Sequence, residues 1–387
     1  MPNAAAHASA QSGTAPNRRR WRIVHSECST GWGGQEHRVL AELVGFQKRQ
    51  CPVWLFAPTA SGIWKRARAT GIETIPITGA KLRFAPQVIH LSRWLRAHQI
   101  EVVNTHSSRD GWIVGLAARM ARTPFLVRSR HIDVDYPNPW LSRHAYVTLA
   151  DHVLTTSQRI TEHFQKIFHL PDNRISTVPT GIDTTRFRPD GPKASLHRAG
   201  GSVARPVLGM VSVLRSWKGH SVFLQALKLL AQRQLEFEAV IVGEGPIRSQ
   251  VESLIGEHGL GNRVQMMGHR EDVDAVLRGL DILVIPSTAH EGVPQIGMQA
   301  MACGTPVVGS DTGGIPEIIR PGRTGRIFPS GNAETLAAAL TEALSDSSGT
   351  RALAAAAIEE ARRSHSIESM LNTLDALYAR HLGAATP

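Results

Sequence analysis

The chain has 387 residues, 42% of them hydrophobic, and carries a formal net charge of +11. No apolar run reaches the ~20 residues that a membrane-spanning helix needs. The three cysteines (Cys28, Cys51, Cys303) are far apart, with no CxxC pair. They offer neither a disulfide framework nor a zinc site, and reduced thiols suit the cytoplasm.

In chain order, residues 1–20 (MPNAAAHASAQSGTAPNRRR) are small, polar and basic and read as a disordered tail. No apolar segment follows Arg18–Arg20, so the tail does not read as a secretory signal. From residue 21, β-branched runs alternate with helical patterns. The strand candidates of the first half are RIVHSEC, VWLFAP, IETIPIT, VVNTH, FLVRSRH and HVLTTS. The pattern pauses over RFRPDGPKASLHRAGGSVARP (186–206), where the Pro/Gly-rich residues 191–206 form the linker candidate. It resumes with VLGMVSVL, FEAVIVGEG, RVQMMG, DILVIPS and TPVVGSD. One domain is therefore expected over 21–190 and a second over 207–365. A last segment, 366–387, contains a helix with a stripe of Ile367, Met370, Leu371, Leu374, Leu377 and Tyr378. That stripe must pack on something, either the second domain or, crossing back, the first. Repeated βα alternation predicts an α/β fold, with two doubly wound Rossmann-like domains facing one another across a cleft. Ligands in such sheets bind beyond the carboxyl ends of the strands.

The charge is uneven. Residues 1–190 hold 25 Lys and Arg against 13 Asp and Glu, whereas residues 191–387 hold 18 against 19. The first half thus carries all the excess. Nucleic acid is a poor partner, because the charge is scattered through βα units with no nucleic-acid-binding module. The segment GAKLRFAPQVIHLSRWLRAHQ (79–99) mixes Lys81, Arg83, Arg93 and Arg96 with Phe84, Ile89, Leu91, Trp94 and Leu95. It reads either as an ordinary helix with a core stripe or as a surface for anionic lipid or a phosphorylated glycolipid.

Phosphate-type features gather in the second half. ILVIPS runs into TAHEGVPQIGMQAMACG, a strand, a loop and a helix whose first amides, from Gln295 and Ile296, would face an anion. Pro294 suits the first turn of that helix. Arg215 and Lys218, in LRSWKGH after the first strand of this domain, are placed to neutralise a diphosphate.

The stretch PSTAHEGVPQIGMQAMACGTPVVGSDTGGIPEII (286–319) resembles the signature of the group 1 retaining glycosyltransferases with the GT-B fold. The resemblance extends through GGQEHRVLAEL, VVNTHSS, VRSRH, LTTSQRI, TGIDTTRF, WKGH and VGEGP, nearly the whole chain after residue 20. It implies that Glu291 bonds the hydroxyls of the transferred sugar. Arg215 and Lys218 would hold the diphosphate, helped by amides near Gly33, Gly34 and Gln295. His131 would lie near the reacting face of the donor sugar, with His106 a weaker candidate. Gly243 in VGEGP is implied in donor binding, and base recognition is expected around His269–Arg270.

Two positions depart from the family pattern. The family arginine usually lies five residues before the lysine, where Val213 stands; Arg215 lies three before. Eight residues after Glu291, where the family has a second glutamate for the ribose, stands Gln299. A carboxylate accepts charge-assisted bonds from both ribose hydroxyls, and an amide replaces these with neutral ones. The expected loss is ~1–2 kcal/mol of donor binding, an altered site and not a dead one.

The resemblance implies transfer of a sugar from a nucleotide-diphosphate donor with retention of anomeric configuration. No metal or other cofactor is expected, and the DxD-like triplet Asp133–Val134–Asp135 is read as a loop. The acceptor is expected to be a glycan or glycolipid of lipopolysaccharide or another envelope polysaccharide. The place of action is then the cytoplasmic face of a bacterial inner membrane, held peripherally. The alternatives are a nucleotide-sugar epimerase or phosphorylase on the same fold, or a non-catalytic basic binder in which Gln299 marks decay.

Overall fold

The computed structural model describes residues 19–78, 83–131, 139–197 and 205–383. The triplet 133–135 and Lys81 lie outside these residues. The first domain contains seven strands: β1 (Ile23–Ser26), β2 (Val53–Ala57), β3 (Glu73–Pro76), β4 (Val102–Thr105), β5 (Phe125–Arg130), β6 (His152–Thr155) and β7 (Ile175–Thr177). The second contains six: β8 (Val207–Val211), β9 (Glu238–Val242), β10 (Val264–Gly268), β11 (Ile282–Ile285), β12 (Val307–Ser310) and β13 (Arg326–Phe328). Each set forms one parallel sheet, ordered β3-β2-β1-β4-β5-β6-β7 and β10-β9-β8-β11-β12-β13.

All eleven predicted strands are present. The two strands without a sequence prediction, β7 and β13, are three-residue edge strands, too short to show a period. Strands β1, β2, β4 and β6 are buried along their whole length, as expected when helices cover both faces. A π-helical turn, His144–Leu149, had no signal in the sequence.

The stripe of the last helix is placed in the first domain. In Ile367–Leu382, Met370, Leu371, Leu374, Leu377 and Tyr378 join the core of Trp21, Leu43, Phe46 and Phe125. Trp21 Nε1 also donates to Asp375 at 2.5 Å. The chain therefore passes between the domains twice, and the two passages pair as strands do. Ile182 N donates to His365 O at 2.8 Å, and Ile367 N to Ile182 O at 3.0 Å. Gly181 is needed there, because a Cβ would lie 2.6 Å from the Cα of Ile367.

The helix Phe84–Ala97 turns Val88, Leu91 and Leu95 to the core and leaves Phe84, Ile89 and Arg93 exposed. No helix among the described residues is long and apolar enough to cross a membrane.

Leu374 is fully buried beneath the first sheet. The substitution Leu374→Ala is expected to cost about 2–5 kcal/mol. Urea unfolding should report this as a lower midpoint of the transition that includes the first domain.

Candidate active site

Each sheet reverses its strand order once, between β1 and β4 and between β8 and β11. Loops leaving the strands on either side of such a point diverge and open a crevice beyond the carboxyl ends. Most of the candidate residues collect there. Arg215 and Lys218 follow β8, Glu291 follows β11, His106 follows β4, and His131 follows β5.

Glu291 is the centre of the second-domain half. Lys218 Nζ donates to both of its carboxylate oxygens, at 2.9 and 2.7 Å, and Ser287 Oγ donates to Oε2 at 2.7 Å. Glu291 is only 7% exposed, and a carboxylate so buried stays charged only with partners of this kind. The loop is pinned at its start. Thr288 N donates to Trp217 O at 2.7 Å, and Ser310 Oγ to Ser287 O at 2.6 Å. Gly313, at φ +59°, lies directly on the backbone of Glu291, where a Cβ would run into the Glu291 carbonyl oxygen. Gly314 N then bonds Gly292 O at 3.1 Å. The Gly-Gly pair of TGGIPE thus holds the Glu291 loop in place.

The two cations differ in their commitments. Lys218 ends the 3₁₀ turn Ser216–Lys218 and is neutralised by Glu291. Arg215 is exposed, its guanidinium 5.4 Å from the centre of the Trp217 ring, and has no carboxylate partner among the described residues. Val213, where the family carries arginine, is 54% exposed.

Helix Gln295–Cys303 begins just beyond. Pro294 is its N-cap and not its first helical residue. The amides of Gln295 and Ile296 have no intrahelical acceptor, whereas Gly297 N bonds Pro294 O. Gln295 Nε2 reaches across the cleft to Gly34 O at 2.8 Å, so the glycine loop and this helix meet as expected. The amide of Gly33 is already used, donating to Glu36 Oε2 at 2.7 Å at the start of helix Gly34–Lys48. Gln299 is half-buried one turn further on, with no hydrogen-bond partner for its amide among the described residues. Gly243 and His269 follow β9 and β10. Gly243 N bonds Gly268 O at 2.8 Å and His269 is exposed, while Arg270 is tied to Asp272 at 2.7 Å.

In the first domain, His131 heads a row of buried imidazoles. Its Nε2 lies 2.9 Å from His106 Nδ1, and His106 Nε2 lies 2.8 Å from His25 Nδ1. The rings stack at centroid distances of 5.2 and 5.1 Å. Behind them, Glu42 Oε2 is 3.8 Å from His25 Nδ1, and Glu42 Oε1 accepts from Arg38 Nε at 2.6 Å. Arg38 Nη1 donates to Val178 O at 2.5 Å. The polar atoms of His25, Glu42 and His106 lie within 4.8 Å of one another, a spacing also found around metal ions. Here Arg38 already holds Glu42 and the ring nitrogens face each other, so the group reads as a hydrogen-bonded chain.

Sequence reasoning missed His25, Arg38, Glu42 and Ser287. His25 left one trace, a polar residue inside the otherwise apolar run RIVHSEC. Arg38 and Glu42 look like a solvated i,i+4 ion pair until the structure buries both.

The halves meet at the site. A Cβ on Gly292 would lie 2.8 Å from the carbonyl oxygen of His131, so the Glu291 loop backs directly onto His131. Elsewhere, the Glu317 carboxylate caps the first-domain helix Gln158–Phe168, accepting from Gln158 N at 2.8 Å and Arg159 N at 3.0 Å.

Two Rossmann-like domains with a charged cleft between their switch points define the GT-B class of transferase. The family model for group 1 glycosyl transferases matches residues 195–364, and that for glycosyltransferase family 4 matches residues 32–186. The chain belongs to the group 1 glycosyltransferases. It is 27% identical, over 81% of its length and 79% of the relative's, to a GDP-mannose-dependent alpha-(1-6)-phosphatidylinositol monomannoside mannosyltransferase of Mycolicibacterium smegmatis. It is 31% identical to the amylovoran biosynthesis glycosyltransferase AmsK of Erwinia amylovora, over 49% of this chain and 47% of AmsK. The chain spans about half the length of several of the curated relatives it matches. Among solved structures, Anabaena Alr3699/HepE in complex with UDP superposes with a TM-score of 0.81 at 21% identity, covering 93% of this chain and all of that one.

Burial makes the site sensitive to pH. His25, His37, His106, His131 and His365 are all held below the ordinary histidine pKa, chiefly by desolvation, and His152 and His220 are brought down to about 4. Below pH ~6.5 the unfolded chain binds protons that the folded chain refuses, so these groups withdraw stability as pH falls. Glu27 acts in the opposite sense, because burial raises it to about 7, and Asp110 is raised as well. The histidines outnumber the carboxyls, so the melting temperature is expected to drop between pH 6.5 and 5. Glu27→Gln, lacking one opposing group, should drop more steeply in the same scan.

Proposed function

We propose that the protein is a retaining glycosyltransferase that moves a sugar from a nucleotide-diphosphate donor to a glycan or glycolipid acceptor of the bacterial cell envelope, lipopolysaccharide included. The observation that carries this reading is the convergence on one crevice of Glu291, Lys218, Arg215 and the start of helix Gln295–Cys303, backed across the cleft by His131.

The reaction has two demands. Negative charge grows on the departing diphosphate while the sugar becomes oxocarbenium-like. Lys218, Arg215 and the free amides of Gln295 and Ile296 supply fixed positive charge at the phosphate end, where losing one such donor typically costs ~2.7–4 kcal/mol of transition-state stabilisation. Glu291 holds the sugar by its hydroxyls. Before the donor arrives, Lys218 and Glu291 satisfy each other, so neither is a lone buried charge. A diphosphate then shares Lys218, and the hydroxyls of the sugar share Glu291.

No step in this scheme asks for a metal, because Lys218, Arg215 and the helix N-terminus supply the positive charge it calls for. Similar proteins differ in the base they take: one relative is named for GDP-mannose, while HepE was solved with UDP and UDP-glucose. Acceptor binding is assigned to the basic first domain. The exposed Phe84, Ile89 and Arg93 of one helix, together with Trp140, suit a peripheral position on an anionic inner-membrane surface. The epimerase, phosphorylase and non-catalytic alternatives share the fold and part from this reading in the test.

Calorimetric titration with UDP, GDP, ADP and CMP is expected to find one diphosphate that binds, equally well with EDTA. Absence of binding by all four would favour the non-catalytic alternative. With that donor, Glu291→Ala should reduce transfer by a factor of roughly a hundred or more while circular dichroism stays unchanged. Unaltered turnover would remove Glu291 from the site. Gln299→Glu, restoring a carboxylate, should tighten the donor about tenfold in Kd.

A further inference from the structure

A row of neutral imidazoles joined through ring nitrogens has one proton for each link, so all its links must point the same way. Two arrangements are open to His131, His106 and His25. With the protons pointing inward, His131 Nε2–H donates to His106 and His106 Nε2–H donates to His25, which leaves a proton on His25 Nε2. With the protons pointing outward, His25 Nδ1–H donates to His106 Nε2 and His106 Nδ1–H donates to His131 Nε2. The proton left over then sits on His131 Nδ1.

Two features of the inner end decide between them. His25 Nε2 is fully buried and has no hydrogen-bond partner. An N–H there would be an orphaned donor, whereas a bare ring lone pair is the lesser penalty. On the other side of the ring, Glu42 Oε2 stands 3.8 Å from His25 Nδ1 and has no donor of its own. It attracts a proton to Nδ1. Arg38 pairs with Glu42 through Oε1 and is itself anchored to the carbonyl of Val178, so the carboxylate end of the row is fixed in place. All three histidines are held below their ordinary pKa by burial, which keeps the row neutral.

We propose that Glu42 and His25 are positioning residues which, through His106, hold His131 as its Nδ1–H tautomer, so that His131 meets the donor sugar as a hydrogen-bond donor. The inference rests on the placement of His131 at the donor sugar argued above. It assigns the buried Arg38–Glu42 pair a task in specificity and turnover as well as in packing. The polarity of the row runs from a buried anion beneath the first sheet to the cleft, over three side chains from three different strand ends.

The tautomers are read directly by long-range 1H–15N correlation on the full chain labelled with 15N-histidine, with each ring assigned from the spectrum of its single-site variant. His25, His106 and His131 are all expected as Nδ1–H. An Nε2–H signature on His131 would overturn the proposal. This readout needs no donor and no turnover, so it stands apart from failure of the glycosyltransferase reading. In turnover, His25→Asp, which puts an acceptor and no donor opposite His106 Nε2, is expected to flip His131 to Nε2–H and lower kcat about tenfold or more with little change in donor KM. His25→Asn places an amide N–H where Nδ1–H was and should restore most of kcat. Equal losses in the two variants would assign His25 to packing alone and overturn its role through His131.

Discussion

The paired crossing at Ile182 and Ser366 is the constraint on which the site depends. A cleft between two domains is useful only if its walls keep a fixed relation, and a single flexible linker would not supply one. Here the chain leaves the first domain through residues 178–182 and returns through 365–367, and the two passages bond to one another. The returning helix then buries its apolar stripe in the first domain's core. Undocking that helix would break the pairing and expose Leu374 and Tyr378 to water. Arg38 joins the same region to the site, since it holds Val178 with one arm of its guanidinium and Glu42 with another.

Electrostatics divides the cleft into two regimes. On the second-domain side the groups are charged: buried Glu291 paired with half-buried Lys218, and Arg215 in solvent. They suit a charged ligand, because Lys218 and Arg215 keep part of their surface open to solvent. On the first-domain side the groups are buried and neutral, three imidazoles kept so by desolvation. In the proposed reaction, a neutral wall on this side avoids placing a cation against a forming oxocarbenium. The split matches a reaction in which negative charge collects on one fragment and positive charge on the other.

Glycines do much of the positioning. Gly313 lets one loop lie on the backbone of Glu291, and Gly292 lets Glu291's own loop lie on His131. Each close approach transmits the position of one element to the next without a side chain between them.

Periodicity made the sheets legible, since runs such as DILVIPS and TPVVGSD are long enough to show burial on both faces. Order along the chain then made the crevice legible, because strand ends in a doubly wound sheet converge wherever the order reverses. That Glu291, Lys218, Arg215 and Gln295 gather at one crevice could be expected because each follows a strand end of the same sheet. The sequence could not say where the last helix lies, because an apolar stripe does not name its partner. Nor could it show that Lys218 pairs with Glu291, which stands 73 positions away. The histidine row was equally hidden. His25, His106 and His131 lie on separate strand ends, and each alone resembles any other histidine in a chain that has 18. Local chemistry is written residue by residue, whereas hydrogen bonds between distant strand ends exist only once the sheet has set their register, and that the tertiary structure alone decided.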